Sequence, residues 1–399
     1  MIFNNVQLIT PDSSFLGALR LDGATIQEIR SPEDLPFTAA PGEAVWDANG
    51  QYILSPGFID VHIHGAGGAD TMDASLESLC TISETISRFG TTSFLATTMT
   101  QSPERVRAAV QAVKKWGPEV RGAQILGLHL EGPFISPEAI GAQNPNFVAA
   151  PSVSLFQSLV EEAEDLVVTV TLAPERQGAE ELIRYLRGKD INAAMGHTKA
   201  TYEQAKEGMS WGCNHATHLF NAMTGLHHRA PGVVGAVLDS DITAETIADG
   251  IHVLWPVLRS VYHLMAPERM ILVTDAMMAC GMHEGTYSLG GQKVFVKDGA
   301  ARLEKGALAG SILTMGDAVK NVAQHTDLAL HEVLRMATFN PARLCGVADR
   351  KGRLAPGYDA DLVLLNKDLD VCAVFVQGRL VHQSPTGPFP AAHAAPDKK

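Results

Sequence analysis

Four histidines, His62, His64, His197 and His218, and two carboxylates, Glu131 and Asp275, have the donor chemistry to hold a borderline divalent ion such as zinc or iron. Spread from position 62 to position 275, they form a site only if the fold gathers them. Each falls at the end of an apolar, β-branched run. His62 and His64 end the first, Glu131 the third, His197 the fifth, His218 the sixth and Asp275 the eighth, with His252 at the end of the seventh. Residues alternate across a strand, so the rings of His62-Ile63-His64 share one face. Taken singly, each has an ordinary reading. A lone histidine is commonly a hydrogen-bonded core or surface group, and Glu131 or Asp275 could cap a helix. Those readings do not account for coincidence at the ends of six of the eight runs.

The runs that must position these groups are Ile53 to His64, Thr91 to Thr98, Gln124 to Glu131, Val167 to Pro174, Ile191 to His197, Asn214 to Phe220, Ala244 to His252 and Met270 to Ala276. Between them lie segments such as Glu104 to Trp116 and Gly178 to Arg187, whose apolar positions recur at helical spacing. Eight alternating units predict an α/β fold, a (β/α)₈ TIM-type barrel, whose C-terminal strand ends converge on one mouth. An open doubly wound sheet would need a glycine-rich fingerprint, and Gly65-Ala66-Gly67-Gly68 lacks the GxGxxG spacing. The chain ends read differently. Val6–Ile9, Gly17–Leu21 and Thr25–Ile29, with a turn at Asp22-Gly23, match Ala360–Leu365 and Cys372–Val376 in texture. Residues 1–54 and 355–384 are thus expected to form a small β-sandwich domain around a catalytic barrel of residues 55–354. The Pro/Ala-rich tail, 385–399, reads as disordered.

Composition narrows the function. Hydrophobic residues make up 46% of the 399, ample for a large core. With 31 Lys+Arg against 44 Asp+Glu, the net charge of −13 argues against nucleic acid, which needs a basic surface. One local basic pocket could still take a small phosphorylated ligand. Cys80, Cys213, Cys280, Cys345 and Cys372 form no CxxC pair and read as reduced thiols of a cytoplasmic protein. No signal peptide or membrane-spanning run is recognised, so no membrane partner is expected. His227, His263, His283, His325, His331 and His382 fall on helices or loops outside the pattern and read mostly as structural or solvated.

Six strings occur in order: His62-Ile63-His64, Leu130-Glu131-Gly132-Pro133-Phe134, Gly196-His197-Thr198, Thr217-His218-Leu219-Phe220-Asn221-Ala222-Met223, Asp249-Gly250-Ile251-His252 and Thr274-Asp275-Ala276. Leu308-Ala309-Gly310-Ser311, Asn340-Pro341-Ala342 and Gly357-Tyr358-Asp359-Ala360-Asp361 extend the series. From about Pro56 to Asp361 the chain resembles the N-acetylglucosamine-6-phosphate deacetylase family of the amidohydrolase superfamily. His-x-His is common across that superfamily, whereas His-Leu-Phe-Asn-Ala-Met is much more specific. The resemblance implies Glu131, His197 and His218 as principal metal ligands and Asp275 as the catalytic proton-transfer residue. It implies that Asn221, Ala222, Arg229 and His252 hold sugar and phosphate, with Ala142, Gln143 and the Leu308-Ala309-Gly310 turn lining the substrate. It also implies a homodimer in which Arg229 reaches the neighbouring subunit's site. Many members carry His where this chain has Gln143, and a basic residue near Ala139-Ile140, which bears on sugar preference.

The expected reaction is metal-dependent hydrolysis of an amino-sugar phosphate's acetamide, a metal-bound hydroxide attacking and Asp275 shuttling the proton. The cofactor expected is one or two divalent ions per chain, zinc first, with iron, manganese or cobalt as alternatives. His62 and His64 are the ligands a second ion would use. Some superfamily members bridge two ions with a carbamylated lysine on the fourth strand. Val168–Leu172 has none, leaving Glu131 as the bridge. Alternatives are the galactosamine epimer as substrate, a D-aminoacylase or dihydropyrimidinase-like amidohydrolase, and a non-catalytic barrel. The last would be expected to have lost a ligand or the acid/base group, and none is missing.

Overall fold

The structure is a computed structural model and describes residues 1–34, 37–385 and 387–389. Eight parallel strands carry the fold: β1 (Phe58–Ile63), β2 (Thr91–Thr98), β3 (Gln124–Glu131), β4 (Val167–Leu172), β5 (Asn192–Met195), β6 (His215–Ala216), β7 (Thr243–Ile247) and β8 (Met270–Val273). They pair in chain order. Beyond its last residue β8 returns to the end of β1: Asp275 N–H donates to the His62 carbonyl at 2.8 Å, and His64 N–H to Ala276 at 2.9 Å. The sheet is thereby closed into a barrel. Every residue of β2 is buried, as a parallel strand covered on both faces requires.

One helix follows each strand: α1 (Leu76–Ser87), α2 (Pro103–Trp116), α3 (Val153–Val160), α4 (Ala179–Arg187), α5 (Tyr202–Trp211), α6 (Gly232–Leu238), α7 (Trp255–Met265) and α8 (Met315–His325). In α2 the Ser102 hydroxyl caps Arg105 N–H, Pro103 opens the first turn, and Val106, Ala109, Val110 and Val113 form the buried face. Among the described residues no helix is long and apolar enough to cross a membrane. All five cysteines are free thiols.

The run Ile53 to His64 is not one strand. Ile53–Pro56 joins the sheet built from the chain ends, and the barrel strand begins at Phe58. Gly57 lies between them, packed so closely that a Cβ there would sit 2.0 Å from Thr92 Oγ1. The later runs also shorten: His197, His218 and Asp275 lie two residues past their strands, and His252 lies in the loop after β7. An antiparallel three-stranded sheet, Gly285–Leu289, Gln292–Lys297 and Ala300–Leu303, is inserted between β8 and α8. It delivers the Leu308–Gly310 turn to the mouth, where Ser311 N–H donates to the Asp275 carbonyl at 2.7 Å.

Both chain ends build one eight-stranded sheet. Ile2–Thr10, Ser13–Asp22, Thr25–Arg30, Val45–Asp47 and Ile53–Pro56 pair with Leu362–Leu365, Val371–Val376 and Arg379–Gln383. Three pairings separate Ile2–Thr10 from Val371–Val376, about 14 Å in a flat sheet. The rings of Phe3 and Phe375 nevertheless meet at 5.5 Å, edge to face, because the sheet coils over itself around its own apolar core. His382 lies on the last of these strands rather than on a helix or loop. The part of the tail from residue 390 onward lies outside the described residues.

Candidate metal and active site

The barrel mouth gathers the expected ligands. Glu131 ends β3, His62 lies in β1, and His64, His197, His218 and Asp275 occupy the turns after β1, β5, β6 and β8; all six are buried. Glu131 Oε1 lies 3.0 Å from both His197 Nε2 and His218 Nε2, and those nitrogens are 3.1 Å apart. The other carboxylate oxygen, Oε2, lies 3.3 Å from His64 Nε2. Asp275 Oδ1 stands 3.3 Å from His64 Nε2 and 3.5 Å from His62 Nε2. Glu131 therefore shows one oxygen to His197 and His218 and the other to His64. Two groupings, Glu131–His197–His218 and His62–His64–Glu131, could each hold an ion and share that carboxylate.

The donor set fits a divalent metal. His197 Nδ1 donates to the Ala139 carbonyl at 2.9 Å, which turns its Nε2 toward Glu131 and His218 and leaves that nitrogen able to ligate an ion. Buried His62 Nε2 has no hydrogen-bond partner among the described residues. A cation resolves both features, since it takes the lone pairs and balances the carboxylates. In the metal-free chain protons do part of that work. Burial would lower the pKa of His64, but Asp275 and Glu131 raise it to about 9. Burial likewise opposes charge on His62, yet Glu245, Asp275 and Glu131 hold its pKa well above the usual histidine range. Although burial would raise their pKa values, the surrounding imidazoles hold Glu131 well below the carboxylate range and Asp275 below its usual value.

Above these groups opens a cavity of about 420 Å³. Of the residues singled out in the sequence, His64, Glu131, Ala142, Gln143, His197, His218, Asn221, Ala222, His252, Asp275, Leu308 and Gly310 line it. Ala309 is fully buried behind its two neighbours. Arg229 is exposed and lies off the cavity lining of its own chain, its Nη1 2.6 Å from His228 Nε2. Gln143 is fixed at both ends: Thr100 N–H donates to its Oε1 at 2.7 Å, and its Nε2 donates to Glu131 Oε2. Asp249 accepts from the backbone N–H and Nδ1 of His252, which orients that ring at the rim.

Several functional residues escaped the sequence reading. Met99, Glu138, Lys199 and Met223 also line the cavity. Beneath it lie fully buried His129, His215 and Glu245. His129 bridges the Val61 carbonyl and the Thr171 hydroxyl; burial, with the neighbouring charge of His62, drops its pKa to about 3, so it stays neutral. A signal for this layer existed. Each residue interrupts an apolar run, and an ionisable group inside a doubly covered strand needs a buried partner.

The sequence profile of the Amidohydrolase family matches residues 53–381. The chain is similar to the N-acetylglucosamine-6-phosphate deacetylase of Bacillus subtilis (strain 168), 41% identical over 82% of this chain and 84% of that one. It is also similar to the N-acetylgalactosamine-6-phosphate deacetylase of Escherichia coli O157:H7, 38% identical over 82% and 87%. A mutant N-acetyl-D-glucosamine-6-phosphate deacetylase from Mycobacterium smegmatis, solved with N-acetyl-D-glucosamine-6-phosphate, superposes with a TM-score of 0.88 at 32% identity, covering 96% of this chain and 99% of that chain.

Proposed function

As the chain belongs to the amidohydrolase family, we propose that it hydrolyses the acetamide of N-acetylglucosamine 6-phosphate to glucosamine 6-phosphate and acetate. One observation carries this reading: Glu131, His197 and His218 meet within 3.1 Å at the mouth, with Asp275 on the same cavity. Those three residues would hold the principal ion, zinc first among candidates. His62 and His64, with Glu131 and Asp275, would hold a second. A bound divalent ion supplies Lewis acidity, lowering the pKa of water toward ~7 and balancing negative charge that develops on the acetyl oxygen.

The chain's own residues do the rest. Asp275 takes the proton of the attacking water and returns it to the departing sugar amine. Asn221, Ala222 and His252 hold the sugar and its phosphate, while Ala142, Gln143 and the Leu308–Gly310 turn shape the acetyl end. In a homodimer Arg229, exposed on its own chain, would offer charge and paired donors to the phosphate of a second copy. A cytoplasmic setting agrees with the free thiols. Residues 1–54 and 355–384, joined by Ser55 and Pro56 of the same sheet, serve as a supporting domain for the barrel that begins at Phe58 and runs to about residue 354.

The galactosamine epimer is a second reading, favoured by the similarity to the Escherichia coli protein. Acetate release from both N-acetyl amino-sugar 6-phosphates and their unphosphorylated sugars, with defined metals, tests the proposal. Turnover should favour the phosphorylated glucosamine compound. No release from either phosphorylated sugar would overturn the reading. Zinc analysis after reloading should approach two per chain and fall toward one in a His62→Gln, His64→Asn double variant.

A further inference from the structure

Glu245 is a carboxylate in the middle of β7, fully buried, and it touches no part of the substrate cavity. Three donors converge on it. His62 Nδ1 reaches its Oε2 at 2.9 Å, the backbone N–H of His218 reaches the same oxygen at 3.0 Å, and His215 Nε2 reaches Oε1 at 3.1 Å. The first two belong to different metal groupings, on β1 and just past β6.

We propose that Glu245 is a positioning residue that makes His62 a metal ligand and ties the two halves of the metal centre together. The inference rests on the metal reading above. An ionised carboxylate only accepts hydrogen bonds, so the proton of a neutral His62 ring is fixed on Nδ1. Nε2 is then left bare, 3.5 Å from both Glu131 Oε1 and Asp275 Oδ1. His197 gets the same service from the Ala139 carbonyl. The Nδ1 atoms of His64 and His218 have no partner among the described residues. Glu245 is therefore the one side-chain carboxylate that orients a metal-facing ring here from behind, and through the His218 backbone it transmits any displacement of that ring to the other grouping.

Glu245→Met isolates this role because it keeps the length of the side chain and removes both accepting oxygens. No side chain then holds the proton on His62 Nδ1, and His62 is released to carry it on Nε2, where it blocks a metal. The test is a cycle of the full-length parent, Glu245→Met, His62→Gln and the double variant. Each is stripped, then titrated with zinc against a chromophoric chelator, with melting temperature as the folding control. Glu245→Met should weaken zinc binding by ~10–100-fold, the range for losing such a supporting group. In the His62→Gln background the same change should cost less than half as much on a logarithmic scale. An unchanged affinity in Glu245→Met, or a loss that keeps more than half its size without His62, overturns the inference. If Glu245→Met does not fold, Glu245→Asp, which keeps the charge but shortens the reach, takes its place in the cycle. A parent that binds no zinc overturns the metal reading itself, which separates the two failures.

Discussion

His197, His218 and Asp275 adopt positive φ values of 47°, 27° and 47°, in the left-handed region that non-glycine residues rarely enter. Each turns the chain just after a strand, and the side chains of all three line the cavity. Such conformations cost on the order of 1–3 kcal/mol apiece and persist at functional sites because the surroundings enforce them. Asp275 is placed to handle protons, so Asp275→Asn should lower kcat by at least ~10²-fold in zinc-loaded protein of normal melting temperature. Near-parental turnover would remove it from the mechanism. The pKa of His64 makes a second prediction. A value of about 9, raised from an ordinary histidine's 6.5, stabilises the metal-free fold below pH 6.5, and this contribution is lost as pH rises through about 9. Zinc and the proton compete for the same Nε2, so zinc affinity should increase with pH up to about 9, by roughly tenfold per unit for each proton displaced. Chelator competition at several pH values reads this directly; a flat profile contradicts it.

At the scale of elements, the strands stop short of the chemistry. Short strands such as β6 fix direction, and the turns beyond them carry the ligands. β1 and β3 are the exceptions: Glu131 is the last residue of β3 and His62 lies inside β1, whose start is set by Gly57, where the chain leaves the end sheet for the barrel. An added Cβ would meet three atoms of the Thr92 side chain at 2.0–2.7 Å, inside a packed core. Gly57→Ala should therefore destabilise the protein by about 1–3 kcal/mol, the usual scale of overpacking. Chemical denaturation measures it, and an unchanged midpoint would show that Thr92 yields freely.

Across the whole molecule, one buried cation fastens the barrel to the end sheet. The ammonium of Lys351 forms a close ion pair with Asp361, lies 2.9 Å from Asp359 Oδ2 and donates to Gln124 Oε1 at 2.6 Å, at the start of β3. Asp361 in turn accepts Gln377 N–H on its side chain and Gly57 N–H on its carbonyl, each at 2.8 Å. Removing one partner of a buried ion pair leaves the others uncompensated, so Lys351→Met should cost about 3–5 kcal/mol. Zinc bound per folded chain should stay at the parental level, because the metal ligands do not touch this cluster. Loss of zinc without loss of stability would contradict that division of labour.

The sequence by itself determined the barrel, the two β-rich ends and the candidate ligands Glu131, His197, His218, His62 and His64, which the fold brings together. These are local signals: a strand's apolar period marks what is buried, and a ligand at its end is visible without knowing its partners. Tertiary structure alone decided which oxygen of Glu131 faces which ring, since that depends on register and closure between strands far apart in sequence. It also revealed the layer of Glu245, His129 and His215, whose roles exist only as mutual contacts across β1, β3, β6 and β7. Arg229 marks the same boundary. Its motif suggested phosphate, but within one chain it is exposed and does not line the cavity, because a side chain's reach is fixed by the packed backbone rather than by its neighbours in sequence.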